Sequence, residues 1–250
     1  KEIKVSVLNP LVVKRFIQMK LQHNKTDKSD AKMIFKYAQE QTLELWMPDP
    51  KYIEECKVLN TSIALYFKQS TALKNKLHSL KSKGIKGIVL RSLERQVKQL
   101  SKEIKILEAQ TESLIKEHEP EMLTNISSIS GIGKKTAMML ISNTYAFKSF
   151  ENYKQVSAYF GLSPIERTSG SSIRGRSRIS KKGNPSIRNH LFMCSFTASE
   201  YNPQCKALYE RIVAKGKSKK LALIAVCNKL LKQSFAIAKS GIPYDPAYRS

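Results

Sequence analysis

Cys56, Leu59, Ile63, Tyr66, Ser70, Leu73, Leu77 and Leu80 follow one another at alternating spacings of three and four residues. Beyond Gly84 and Gly87 the rule resumes at Leu90, Leu93, Val97, Leu100, Ile104, Leu107 and Leu114, missing only Thr111. A seam repeating every 3.5 residues is that of a helix packed along a neighbour. Two such seams around a glycine-containing turn predict an antiparallel coiled-coil hairpin over residues 51–118. The plain use of such a hairpin is a spacer or a dimerisation arm, so a homo-oligomer held through it is expected. Met47-Pro48-Asp49-Pro50 breaks the pattern on one side and His118-Glu119-Pro120 on the other. The chain therefore divides into segments 1–50, 51–118 and 119–250.

The outer segments read as mainly helical. Leu11 to Met19 is amphipathic, Ala31 to about Gln41 has a helical pattern, and an apolar helix is expected from about Lys219 to Lys239. Lys1-Glu2-Ile3-Lys4-Val5-Ser6-Val7 alternates as one half-buried strand, yet almost nothing downstream offers it a partner. The chain thus looks as though an N-terminal portion is missing. Residues Ser169 to Ser180 are too polar and glycine-broken to predict a strand.

Charge narrows the partners. A formal net charge of +24 and a pI near 9.9 point to a polyanion, nucleic acid first and an anionic membrane surface second. At 41% hydrophobic the chain can bury a core, which excludes a wholly disordered basic tail. The longest apolar run, Leu221 to Cys227, falls far short of the roughly 20 residues that span a bilayer. No transmembrane helix and no membrane partner are expected. The four cysteines form no CxxC pair and the four histidines fall at no ligand spacing, so reduced thiols in a cytoplasmic protein are the plain reading.

Three stretches can carry chemistry. Ile129-Ser130-Gly131-Ile132-Gly133-Lys134-Lys135 places two glycines around one apolar residue, with lysines opening the next helix. Gly131, Gly133, Lys134 and Lys135 resemble the turn of helix-hairpin-helix modules, which hold a phosphate backbone without reading bases. The alternative is an ordinary glycine turn between packed helices. The second stretch runs from Arg167 to Asn184 and carries Arg167, Gly170, Arg174, Arg176, Arg178, Lys181 and Lys182. With no acid before Arg188, it is either a solvated loop or a nucleic-acid contact. A serine beside glycine among arginines could also attack phosphorus, because guanidinium groups would stabilise the charge that builds. The third is Asp27-Lys28-Ser29-Asp30: two carboxylates on the first turn of a helix, able to share in a Mg²⁺ site or simply to cap, with Asp27 as N-cap.

In this order the segments resemble the DEDD transposases of bacterial insertion sequences: the one-ten family, its one-one-six and nine-oh-two relatives, and Piv-like recombinases. Val7-Leu8-Asn9-Pro10 with Lys25 to Ala31 looks like the end of that family's RNase H-like, RuvC-resembling α/β catalytic domain. Phe160-Gly161-Leu162-Ser163-Pro164, Ser169-Gly170 and Ile179-Ser180-Lys181-Lys182-Gly183-Asn184 look like its C-terminal transposase domain. The resemblance implies a mainly α chain: a remnant of the RNase H-like domain (1–50), the hairpin (51–118), and a helical C-terminal domain with the Ser-Gly motif (119–250). It implies DNA strand cleavage and transfer, with Ser169 as nucleophile and Asp27 and Asp30 as the last two of four acids that hold Mg²⁺. It also implies a guide RNA bound alongside DNA. The family's first Asp and its Glu lie upstream of the Asn-Pro turn, so a truncated copy with little strand transfer is expected. The alternative is a non-catalytic nucleic-acid-binding protein.

Overall fold

The computed structural model describes residues 4–21, 26–169 and 173–247, and side chains for these except 166–169, 173, 174, 176 and 177. It forms two compact units, Lys1–Asp49 and Pro50–Ser250. The chain is mainly α.

In the first unit α1 (Pro10–Met19) packs on α2 (Asp27–Glu40). Asn9 caps α1 and Pro10 opens it, the placement in which a missing N–H costs nothing. Phe16 meets Tyr37 edge to face with centroids 5.1 Å apart, and Lys20 pairs with Glu40 at 2.8 Å. The expected N-terminal strand is absent among the described residues Lys4 to Val7. Val5 O accepts one bond, from Trp46 N at 2.8 Å, and this single bond builds no ladder.

In the second unit α3 (Lys51–Ser82) and α4 (Ile88–His118) run antiparallel. Tyr52 stacks on His118 at 4.1 Å at one end, and Lys81 pairs with Glu94 at 2.7 Å at the other. The seam residues Cys56, Ile63, Ser70, Leu77 and Ile104 are buried. Thr111, the position that breaks the apolar pattern, is buried too, and its hydroxyl donates to Leu107 O at 2.8 Å. A threonine bonded to its own helix tolerates a dry seam. Leu100→Pro should break α4, because proline removes an interior hydrogen bond and clashes with the preceding turn at a cost of about 3 kcal/mol. Circular dichroism should show lost helix and a lowered melting temperature; unchanged helicity would refute the hairpin.

The hairpin base sits on a helical core made by α5 (Pro120–Ser127), α6 (Lys134–Thr144), α7 (Tyr153–Tyr159), α8 (Pro185–Tyr201), α9 (Pro203–Ala214) and α10 (Lys219–Ser240). Consecutive residues Thr136 to Ser142 of α6 are buried, since helices enclose it on several sides. Buried Asn202 ties this core together: it caps α9 through Cys205 N, donates to Ser130 O at 3.3 Å and to Gln233 Oε1 at 3.1 Å, and accepts from Tyr244 Oη at 3.0 Å. By length and composition α10 could cross a membrane, which corrects the reading from unbroken runs. Half of that apolar window lies inside the core, where Ala222, Leu223, Val226, Cys227, Leu230 and Leu231 are buried.

One further correction concerns Ser169 to Ser180. Two strands, β1 (Pro164–Ser169) and β2 (Ile173–Ile179), pair antiparallel there. Polarity misled the sequence reading: a two-stranded ladder pairs through its backbone and needs no apolar alternation, and its glycine at 175 stands opposite Arg167 beside a bulge.

Candidate nucleic-acid interface

Two sequence motifs meet at the base of this hairpin. α7 ends at Tyr159, and Gly161 turns the chain with φ +69°, a conformation that favours glycine. Gly183 does the same at φ +110° on the returning side. Each glycine faces the other segment's backbone: a Cβ at 161 would collide with the Lys182 carbonyl, and one at 183 with the Tyr159 carbonyl. Lys181 N donates to Gly161 O at 3.1 Å, and Ser180 N to Ser163 O at 3.0 Å. Arg188 of α8 closes the clasp, its guanidinium donating to Phe160 O at 2.9 Å and Gly183 O at 3.2 Å. Asn184 caps α8 through Ser186 N at 2.9 Å and donates to Asn143 Oδ1 at 3.2 Å. From α10, Asn228 donates to Leu162 O at 3.0 Å and accepts from Ser157 Oγ at 2.7 Å. The strands thus leave the core from a backbone junction braced by three helices.

Pro164 pairs with Ile179, Ile165 with Arg178, Arg167 with Gly175, Thr168 with Arg174 and Ser169 with Ile173. Ser169 is therefore the last paired residue of β1, at the end of the hairpin far from the clasp. Gly170, Ser171 and Ser172 lie outside the described residues. Arg174, Arg176 and Arg178 all lie on β2, where the bulge sets Arg178 opposite Ile165 and Gly175 opposite Arg167. Arg178, Lys181 and Lys182 are exposed.

The Gly131 turn is a different case. Gly131 has φ +104°, and a Cβ there would come within 2.6 Å of the Ala198 side chain, so the glycine lets α8 approach. Gly133 has φ −79° and open space around it, so nothing in its surroundings demands glycine. Both lysines already have carboxylate partners on α4: Lys134 pairs with Glu112 at 2.7 Å, and Lys135 with Glu108. Lys116 and Lys134 together hold the Glu112 carboxyl below its ordinary range. At this turn the packing role outweighs the anion-binding one.

Asp27 and Asp30 both fall in the first turn of α2, where the positive end of the helix dipole favours them. The N-cap is Thr26 and not Asp27: Ser29 N donates to Thr26 Oγ1 at 3.1 Å and Thr26 N to Ser29 Oγ at 3.0 Å. Asp27, freed from capping, is exposed, and Asp30 is half-buried. Among the described residues no group of three or more His, Cys, Asp or Glu could hold a metal ion. Two carboxylates fall short of the six-oxygen shell that Mg²⁺ demands, so these residues alone do not fit that ion.

Buried thiols stay out of the chemistry. Burial pushes Cys56 up to about 11 and Cys205 and Cys227 to about 12, which keeps them protonated and unreactive. His190, on α8, is held below its ordinary 6.5, first by burial and then by Lys135 of α6, with Glu108 of α4 opposing. A depressed histidine binds its proton more weakly folded than unfolded. Its stabilising contribution is whole above about pH 6.5 and declines as pH falls through that value. Chemical denaturation at about pH 7.5 and about pH 5 should give a smaller acid loss for His190→Gln than for the unsubstituted chain. Equal losses would show that His190 titrates normally.

Sequence reasoning missed Arg188, Asn228 and Ser157, which brace the clasp from afar. Asn184 followed by Pro185 is the one local signal that points to this junction, as the start of α8.

Comparison with known proteins agrees with this layout. Residues 123–210, which hold the clasp and the hairpin, match the family described as "Transposase IS116/IS110/IS902 family". Residues 1–83, which hold both aspartates, match a second family described as "Transposase", of the DEDD type. The pilin gene-inverting protein of Moraxella bovis is 30% identical over 249 residues, covering 97% of this chain and 74% of the relative. The counterpart from Moraxella lacunata is 30% identical over the same span. An uncharacterised 43.6 kDa protein of insertion element IS110 from Streptomyces coelicolor is 27% identical over 162 residues, 65% of this chain and 39% of its own length. With nearly its whole length aligned at that identity, and each of its two units overlapping a matched segment, the chain belongs to the IS110 family of transposases.

Proposed function

We propose that the chain binds DNA and takes part in its cleavage and strand transfer, with Ser169 as nucleophile and a guide RNA held alongside. The observation that carries this reading is the clasp. It joins two segments some twenty residues apart in sequence and sends out a two-stranded arm that ends at Ser169. The relatives support the reaction class: two of them are named for inverting a gene.

In the reaction, the Ser169 hydroxyl loses its proton and forms an O–P bond to the scissile phosphate. The P–O bond to the neighbouring nucleotide breaks, and the departing oxygen takes up a proton. Arg167, Arg174, Arg176 and Arg178 supply the positive charge that the crowded phosphorus needs. Lys181 and Lys182 hold the backbone near the clasp, whereas Lys134 and Lys135, already neutralised by glutamates, add little. Asp27 and Asp30 are the two acids the described residues contribute; they would hold a divalent ion only together with further oxygen ligands, and that ion would supply charge to polarise the phosphate. The hairpin serves self-association, supported by exposed Val58 and Leu65 seven residues apart on α3.

Changing Arg174, Arg176 and Arg178 to Ala should weaken DNA and RNA affinity regardless of sequence and flatten its salt dependence. Each phosphate no longer neutralised should reduce the log–log slope by about 0.9 for duplex DNA. A slope that does not move would mean these arginines touch no phosphate. Binding without a covalent adduct under any condition would instead favour the non-catalytic reading.

A further inference from the structure

We propose that the cavity between the hairpin base and the starts of α6 and α8 is a nucleobase pocket that takes one unstacked, amine-bearing base of the bound strand. This rests on the nucleic-acid reading above and adds to it a site that reads bases.

The cavity encloses about 420 Å³, within the roughly 300–1,000 Å³ of ligand pockets. Four elements line it, with Asn60 from α3, Glu108 from α4, Lys135 from α6 and His190 from α8. Ile63, Met138 and Met139 supply apolar walls, all of them buried. Charge decides what fits. Lys135 is neutralised by Glu108 and stands 4.3 Å from the Phe67 ring centroid. His190 is kept neutral by burial and by that same lysine. A phosphate would meet Glu108 with no uncompensated cation to hold it. A neutral planar group meets no such penalty.

The polar groups keep bonding capacity in a pattern that suits a base edge. Asn60 lines the cavity and donates one amide N–H to Ser142 Oγ at 2.8 Å, which leaves its carbonyl oxygen able to accept. Glu108 is a second acceptor, and the His190 ring offers one donor and one acceptor with no hydrogen bond to either among the described residues. A half-buried ring without a partner is one that a ligand or water completes. Two acceptors favour bases with an exocyclic amine over thymine or uracil. The cavity also adjoins the clasp: Ser186 lines it, and Ser186 N is held by Asn184 Oδ1. Enzymes and binding proteins that take a base out of its stack use such apolar pockets with a few edge-reading groups.

The test uses the full chain with single-stranded oligonucleotides carrying 2-aminopurine, stepped one position at a time. Anisotropy of an end label reports binding, and 2-aminopurine emission, which rises on unstacking, reports the pocket. At one position emission should at least double. Ala64→Trp, which fills the cavity from the half-open α3 wall, should erase that rise while anisotropy still shows binding. His190→Ala, which breaks no hydrogen bond among the described residues, should diminish it and decides the matter if Ala64→Trp fails to fold. Tight binding with no responsive position overturns the pocket and leaves the nucleic-acid reading intact. A rise retained in both variants also overturns it, and failure of any oligonucleotide to bind overturns both readings.

Discussion

Ser169→Ala is expected to abolish the covalent protein–DNA adduct while DNA affinity stays nearly unchanged. The adduct is trapped in denaturing electrophoresis with labelled DNA. Removing a nucleophile outright costs at least about 10³-fold in rate, because water and the remaining electrostatics replace only part of its work. The position suits the role. Ser169 is the last paired residue of β1, opposite Ile173, so the ladder fixes its backbone at the end of the arm. The affinity should survive because the arginines of β2, Lys181 and Lys182 remain. An adduct that persists in Ser169→Ala would move the nucleophile to Ser171 or Ser172. An affinity that collapses with the adduct would mean that Ser169 shapes the hairpin and performs no chemistry.

The helical hairpin was legible because its signal is local and periodic: each seam residue predicts the next, and Gly84 and Gly87 mark where the rule pauses. The capping of α2 was half legible. Asp27 and Thr26 are both good N-caps, and Ser29, which closes the box with Thr26, tipped the choice. The strands of the basic arm were not legible, because their pairing is stabilised by the junction beneath them and by no apolar stripe of their own. The clasp was visible only as two motifs. Nothing in Phe160–Pro164 or Ile179–Asn184 alone says that Gly161 and Gly183 face each other's backbone. The cavity was invisible for the same reason, multiplied: Asn60, Glu108, Lys135 and His190 come from four helices, and only packing brings them together.

Gly183→Ala should be among the most damaging single-methyl changes in the chain, and Gly216→Ala is its control. Both glycines lie at positive φ, +110° and +70°, so both substitutions incur the left-handed strain of about 1–2 kcal/mol. Only one meets an obstacle. Around Gly216 nothing stands within 4 Å, whereas at 183 the new methyl would strike the Tyr159 carbonyl and press on Phe160. Backbone atoms cannot swing aside as a flexible side chain can, so the clasp must open. Overpacking of this kind adds about 1–3 kcal/mol, and the total is a large share of the roughly 5–15 kcal/mol that holds a typical domain. The melting temperature of Gly183→Ala should therefore fall well below that of Gly216→Ala. The functional consequence separates a local opening from general weakness. Well below its melting temperature, Gly183→Ala should lose nucleic-acid affinity, because Arg188 can no longer hold Phe160 O and Gly183 O together and the arm loses its base. Gly161→Ala, which strikes the Lys182 carbonyl from the other side, should reproduce both effects. If Gly183→Ala proves no worse than Gly216→Ala, the two motifs do not bear on each other in solution, and the arm is aimed by something other than the clasp.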